Sequence, residues 1–185
     1  MLRNYLAIDL RGIKNEYYEY AVGFGDVPGD FKGLMIAPEH LKNRKDIISK
    51  ADPDVVFAQG KDLATNRKII ESIDIDVLSR PFPIDDTIAK MAQRNEKYFE
   101  ICARDIIASR GYVRSKIIQS LSKTIELAVK RNIGIVLTSG ASDMLETVTP
   151  RELVAFGTVL GLTYPQAKGA ISSVPQSLLE RRGLL

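Results

Sequence analysis

Six cations between residues 104 and 130 have the types and spacing to hold a polyanion: Arg104, Arg110, Arg114, Lys116, Lys123 and Lys130. Arginine offers a planar fork that donates two parallel hydrogen bonds to phosphate or carboxylate, and lysine offers a point charge. The three arginines fall in a basic, glycine-containing approach to a predicted amphipathic helix, or in its first turn. Lys116, Lys123 and Lys130 stand seven residues apart, on one line of a wheel that turns by about 100° per residue. Val113, Ile117, Ile118, Leu121, Ile125, Ala128 and Val129 share the opposite arc of roughly 160°. Cations at a helix N-terminus oppose the helix dipole, which favours anions, and a bound phosphate or carboxylate relieves that conflict. A solvated charged face is the alternative reading of the lysine line.

The rest of the composition narrows the chemistry by exclusion. His40 is the only histidine among 185 residues, at a predicted helix start where capping or solvation is its expected role. Zinc and metallohydrolase sites use several histidines, and the usual serine and cysteine nucleophiles need a histidine base. No metal site and no histidine-based catalytic triad is therefore expected. The one cysteine, Cys102, lies in an apolar run and reads as a small core residue. Residues 1–79 carry 11 basic and 13 acidic side chains, residues 80–131 carry 11 and 6, and residues 132–185 carry four of each. The basic surplus thus sits in the middle third, where an anionic partner would bind. Tyrosine and phenylalanine without tryptophan give no composition-level signature of a single-strand binder. The opening MLRNYLAIDL lacks the pattern of a secretory signal, and no apolar run approaches the ~20 residues of a membrane span. A cytoplasmic protein with no membrane contact is the expectation, as one domain over residues 1–185.

Short β-like runs alternate with helical patterns. Strands are predicted at residues 5–9, 33–37, 54–58, 75–78, 98–102 and 133–138. Helices are predicted at residues 15–22, 38–50, 63–72 with Asp62 as N-cap, 85–93, 113–131, 150–160, 164–172 and 174–182. Residues 23–33, with four glycines and Pro28, form the loosest loop. Alternation of this kind implies a parallel sheet with right-handed crossovers. Both a closed barrel and an open doubly wound sheet fit. Eight units in this length leave about 23 residues each, tight against the ~250 residues of a typical barrel, so a barrel would need a missing or shortened helix.

In either architecture function gathers where the strands end. Arg11 follows the first strand, Lys61 the third, Arg80 the fourth and Arg104 the fifth, with Ser139 and Gly140 after the sixth. Arg114 begins its helix on the same face and falls inside the apolar arc, which predicts an inward direction. Pairing of these cations with Asp9, Asp62 and Asp105 is the structural alternative.

Five segments also carry a resemblance. They are IDVLSRP (75–81), EICARD (100–105), RGYVRSK (110–116), IVLTSGA (135–141) and the proline-punctuated tail TPRELVAFGTVLGLTYPQAKGAISSVPQSLLERR (149–182). Together, in this order, they resemble the barrel-fold protein subunit family of archaeal and eukaryotic ribonuclease P. The resemblance covers residues 53 to the C-terminus and is weak over residues 1–52, where the chain looks abbreviated. It implies an α/β fold, a TIM-like (β/α) barrel related to the polymerase-and-histidinol-phosphatase (PHP) barrels but without their metal-binding histidines. It implies a subunit that assists a catalytic RNA in removing the 5′ leader from precursor tRNA. Catalysis and Mg²⁺ would belong to the RNA subunit, so the isolated chain is expected to be inactive and to bind no cofactor. Implied partners are the ribonuclease P RNA, a small Pop-five-type subunit in a heterotetramer, other ribonuclease P proteins, and precursor tRNA in the particle. The family's RNA contacts map by motif onto Arg80, Arg104, Arg110, Arg114, Lys116 and Lys123. Arg11 and Lys61 join them from strand-end position alone.

Two rival functions remain open at this level. One is a stand-alone barrel enzyme on a phosphorylated metabolite, with Lys61 as a Schiff-base former if buried. The other is a protein scaffold, using the stretch 149–177, rich in small and apolar residues, as its surface.

Overall fold

A computed structural model describes residues 6–185. Among these residues seven strands form one all-parallel sheet in sequential order: β1 (Ile8–Asp9), β2 (Tyr20–Phe24), β3 (Phe31–Ile36), β4 (Val55–Gln59), β5 (Val77–Ser79), β6 (Tyr98–Cys102) and β7 (Gly134–Thr138). The helices are α1 (Arg44–Ala51), α2 (Leu63–Glu71), α3 (Asp86–Arg94), α4 (Ala103–Ile107), α5 (Gly111–Lys130), α6 (Pro150–Val159), α7 (Tyr164–Gly169) and α8 (Ser173–Arg181). The predicted first strand begins at Tyr5, which lies outside the described residues.

The period-2 alternation of each strand sorts its side chains into two cores. Ile8, Leu10, Val22, Val55, Phe57, Val77 and Val136 fill the interior, with Tyr20, Phe24, Phe31, Met35 and Tyr98 packed against them. Ile36, Val56, Ala58, Leu78, Phe99, Ile101, Ile135 and Leu137 face outward and bury against the helices. Leu178 and Leu179 of α8 join the interior group, so the C-terminal helix stoppers the end where the strands start. Arg182 secures it with two hydrogen bonds, at 3.1 and 2.7 Å, to one oxygen of Asp76, just before β5.

The sheet curls into a nearly closed barrel, and the seam between β7 and β1 is bridged. Leu137 N donates to Ala170 O at 3.0 Å and Ile8 N to Ile171 O at 2.8 Å. Residues 170–171, between α7 and α8, thus stand where an eighth strand would. Nearer the far end Gly140 N donates to Arg11 O at 2.8 Å, and Ser139 N to the Asp9 carboxylate at 3.2 Å. The barrel reading is therefore correct and the open doubly wound sheet is not.

The economy that allows a short barrel lies in the first third. The sequence pattern predicts a helix over residues 15–22, but residues 20–24 form β2. Neither the β1–β2 nor the β2–β3 connection holds a helix. The second turn is tight because it is built on glycine: a Cβ on Gly23 would come within 2.0 Å of Val27 O, and one on Gly29 within 2.3 Å of Gly23 N. Elsewhere the helices start where capping chemistry puts them. Asp62 accepts from Thr65 N and Asp85 from Ile88 N, each at 2.7 Å. Thr149 and Thr163 each build a capping box followed by proline. Each such cap contributes about 1 kcal/mol, and the last two explain the proline-punctuated tail. The predicted helix over 38–50 is instead a 3-10 segment, Pro38–Asn43, followed by α1. His40 sits exposed in it.

Candidate functional site

The strand ends gather Arg11, Arg80, Arg104, Ser139 and Gly140 at one mouth, as their positions predict, but most of this charge is compensated. Arg11 Nη1 lies 3.3 Å from Glu100, whose side chain is fully buried. Thr138 Oγ1 also donates to Glu100, at 2.7 Å. The negative charge of Glu100 raises the Arg11 pKa above its ordinary value, outweighing burial. Arg80 makes a fork to Asp105, with Nε–Oδ2 at 3.1 Å and Nη2–Oδ1 at 2.7 Å, and this bonding raises its pKa. Arg80 also sits in the left-handed region, with φ of 49°, where a non-glycine residue is uncommon and costs about 1–3 kcal/mol. Arg104 bonds Ser142 Oγ at 2.8 Å and Gly140 O at 3.2 Å, and pairs with Glu146. The Ser142 hydroxyl and amide, with the charge of Arg104, hold Glu146 below the usual carboxylate range.

Of the alternative partners, Asp105 is the only one that acts as expected. Asp62 is spent on its cap. Asp9 is buried and binds backbone amides, Arg11 N at 3.1 Å and Ser139 N at 3.2 Å. Burial pushes its pKa up to about 7, against the lowering effect of those bonds. Gly12 is required beside it, because a Cβ there would stand 2.2 Å from Asp9 Oδ2. These buried acids do not fit a metal: Glu100 is neutralised by Arg11, and Asp9 is engaged by the seam. No group of three or more His, Cys, Asp or Glu suited to a metal exists among the described residues.

The uncompensated cations start on the corner between α4 and α5, beside the mouth, and continue along α5 to Lys123. Arg110 is the N-cap residue of α5 and makes no side-chain cap. Arg110, Lys116 and Lys123 are exposed, and none of them, nor Arg114, has a carboxylate partner among the described residues. The inward direction expected for Arg114 is wrong. It is exposed, and its guanidinium folds back to donate to Ser109 O at 2.8 Å and Ile107 O at 3.3 Å. The cause is visible in the same helix. Leu121, Ile125 and Ala128 are buried, but Val113, the origin of the apolar arc, is 59% exposed. The first turn of α5 runs past the barrel wall, so the inner side of the wheel there meets solvent. Lys61 is exposed beyond β4, with its amide donating to Asn66 Oδ1 at 3.1 Å. An exposed amine is not the desolvated one that Schiff-base chemistry needs.

Sequence reasoning passed over Glu100 and Asp76 as charge partners. The signal for Glu100 was present: in YFEIC, period 2 places it with Tyr98 and Cys102 on the interior side.

A nearly closed ring of parallel strands with its charge at the strand ends defines a TIM-like barrel. The family described as RNase P subunit p30 matches residues 34–185, and the chain belongs to that family. Ribonuclease P protein component 3 of Methanosarcina acetivorans is 29% identical over 158 residues, covering 82% of this chain and 66% of that protein. The protein of the same name from Methanothermobacter thermautotrophicus is 28% identical over 160 residues, covering 82% and 65%. The chain thus spans just under two thirds of the length of these relatives. In fold it is similar to a chain of an archaeal ribonuclease P solved with mature tRNA, with TM-score 0.79 and 19% identity over 95% of this chain and 90% of that one. Ochratoxinase of A. niger shares the barrel more distantly, with TM-score 0.58 and 15% identity over 80% and 39%.

Proposed function

We propose that this chain is a protein subunit of ribonuclease P that supports a catalytic RNA in removing the 5′ leader of precursor tRNA. Family membership supports the particle. The α4–α5 corner supports the role, because its cations are exposed and lack carboxylates while those of the mouth are paired. In this reading Arg110, Arg114, Lys116 and Lys123 meet RNA phosphates, and Lys61 adds charge from the end of β4. Arg80 and Arg104 keep donors for RNA beside their acid partners, while Arg11 mainly holds the mouth together. Phosphate contacts of this kind position RNA and read little sequence. Structured RNA is recognised by shape, phosphates and 2′-hydroxyls. Neutralising phosphate repulsion would lower the Mg²⁺ needed for the RNA to fold. That Mg²⁺ and the cleavage step belong to the RNA subunit, so the chain alone cuts nothing.

The relatives' shared name and the archaeal particle with tRNA favour assembly beside other protein subunits. A small Pop-five-type subunit, two copies of each, is the proposed direct partner. No helix among the described residues is long and apolar enough to cross a membrane, and the proposed location is the cytoplasm.

The test is reconstitution of precursor-tRNA cleavage with the RNA subunit, with and without this chain, over a Mg²⁺ titration. The chain should lower the Mg²⁺ requirement, and the double variant Arg104→Ala/Arg114→Ala should give back part of that gain without unfolding. Identical Mg²⁺ curves with and without the chain would refute the role.

A further inference from the structure

Resting on the RNA reading, we infer that Tyr112 is a stacking platform for an unpaired nucleotide of the bound RNA, at the end of the α5 lysine line. Tyr112 stands in the first turn of α5 and is 75% exposed. Gly111 before it has φ of 52° with open space around its Cα, so the chain turns sharply and carries the ring out beyond the barrel wall. Ile107 and Val113 beside it are also exposed, at 61% and 59%. A lone exposed aromatic needs no explanation. Here the ring is placed, because the Lys116 ammonium sits 5.4 Å from its centroid.

The geometry continues along the helix. Tyr112, Ser115, Lys116 and Gln119 line an open groove of about 450 Å³ with Ile118. Tyr112, Lys116 and Lys123 follow the four-and-seven spacing of one helix face. At about 1.5 Å per residue, the lysines lie ~6 and ~16 Å beyond the ring along the axis. A nucleic-acid strand along this face would meet charge at the lysines and a flat apolar surface at its end. Bases stack on such rings whatever their sequence, while their phosphates need the cations.

Charge selects this occupant over a protein helix. From residue 103 to 130 the only acids are Asp105 and Glu126. Asp105 is committed to Arg80, and Glu126 is ~21 Å along the axis from Tyr112. An apolar spot within so uncompensated a positive field suits a ligand that is both flat and polyanionic.

The experiment compares the full chain with Tyr112→Ala, Tyr112→Phe and Arg110→Ala/Arg114→Ala/Lys116→Ala. The probes are a fully paired RNA duplex and the same duplex interrupted by an unpaired purine loop, each titrated across salt. Tyr112→Ala should weaken binding of the looped RNA about ten-fold and leave the duplex unchanged, with the same salt slope. Tyr112→Phe should match the parent, since the ring acts and the hydroxyl does not. The triple charge variant should weaken both RNAs and flatten both slopes. Salt-dependent binding by the parent with no loss in Tyr112→Ala would overturn the platform and leave the RNA reading standing. Failure of the parent to bind either RNA in a salt-dependent way would overturn both. Release of a protein subunit by Tyr112→Ala, with RNA affinity intact, would assign the ring to a protein contact and overturn the proposal.

Discussion

The Arg11 guanidinium meets Glu100 at 3.3 Å across the barrel mouth, tying the residue beyond β1 to the middle of β6. The carboxylate is fully buried and takes a second bond from Thr138. Removing it strands a half-buried cation and a buried hydroxyl. Glu100→Ala should therefore cost about 3–5 kcal/mol of stability in chemical denaturation. The double variant Arg11→Met/Glu100→Leu, which removes both charges, should recover much of that loss. A double variant as unstable as Glu100→Ala would show that packing alone explains the effect.

The corner cations lead to a different expectation. Replacing Arg110, Arg114 and Lys116 with alanine should reduce the slope of log affinity against log salt by about two to three for RNA. Folding stability should stay within about 0.5 kcal/mol, because exposed side chains without buried partners contribute little. Arg11→Ala should do the reverse, lowering stability while leaving the salt slope nearly unchanged. Binding isotherms over a salt series, paired with urea curves, separate the two classes.

Asp9 should give the fold a distinctive pH response. Its carboxyl titrates at about 7 in the folded chain because burial disfavours the charge, against the ordinary value of 3.8. Between those values the folded state keeps a proton that the unfolded state has released. The Asp9 contribution to stability must then decline as pH rises from about 4 to about 7, and level off above. Other acids contribute their own slopes, so the quantity to measure is the stability difference between the parent and Asp9→Asn. That difference should change steadily across the window; a constant difference would show that Asp9 titrates normally.

Cys102 should be inert. Burial raises its thiol to about 12, and the side chain packs inside the mouth within 3.9 Å of Ser139 O. Aromatic disulfide reagents should label it only as fast as the chain opens, with full reactivity in denaturant. Rapid labelling under native conditions would mean that the mouth breathes.

Some elements were readable because they rest on local chemistry. Tyr98–Cys102 is observed at its predicted bounds, and Asp62 caps α2 as its side chain dictates, whereas Asp85, expected as the first residue of its helix, is the cap of α3. Residues 15–24 misled because Tyr17, Tyr18 and Val22 satisfy helical spacing as well as they do a turn and a short strand. The decision came from elsewhere in the chain, as Tyr20↔Ile8 and Val22↔Phe31 pairing drew the segment into the sheet. The cations themselves were legible, but their state was not. Arg80 and Asp105 are 25 residues apart, and Arg11 and Glu100 are 89 apart. The pairing of β5 with β6 brings the first pair together, and the curl of the barrel brings the second. The wheel of α5 likewise named Leu121, Ile125 and Ala128 as buried but could not tell that the wall ends short of Val113 and Val129.

The seam filled by residues 170 and 171 bears on how the molecule is made. During synthesis the seven strands emerge before the segment that joins the last to the first. Until then the nascent sheet has two raw borders, the condition most open to pairing with a neighbouring chain. Completion of the ring thus waits until residues 170–171 follow the strands, and α8 then seats its two leucines in the base.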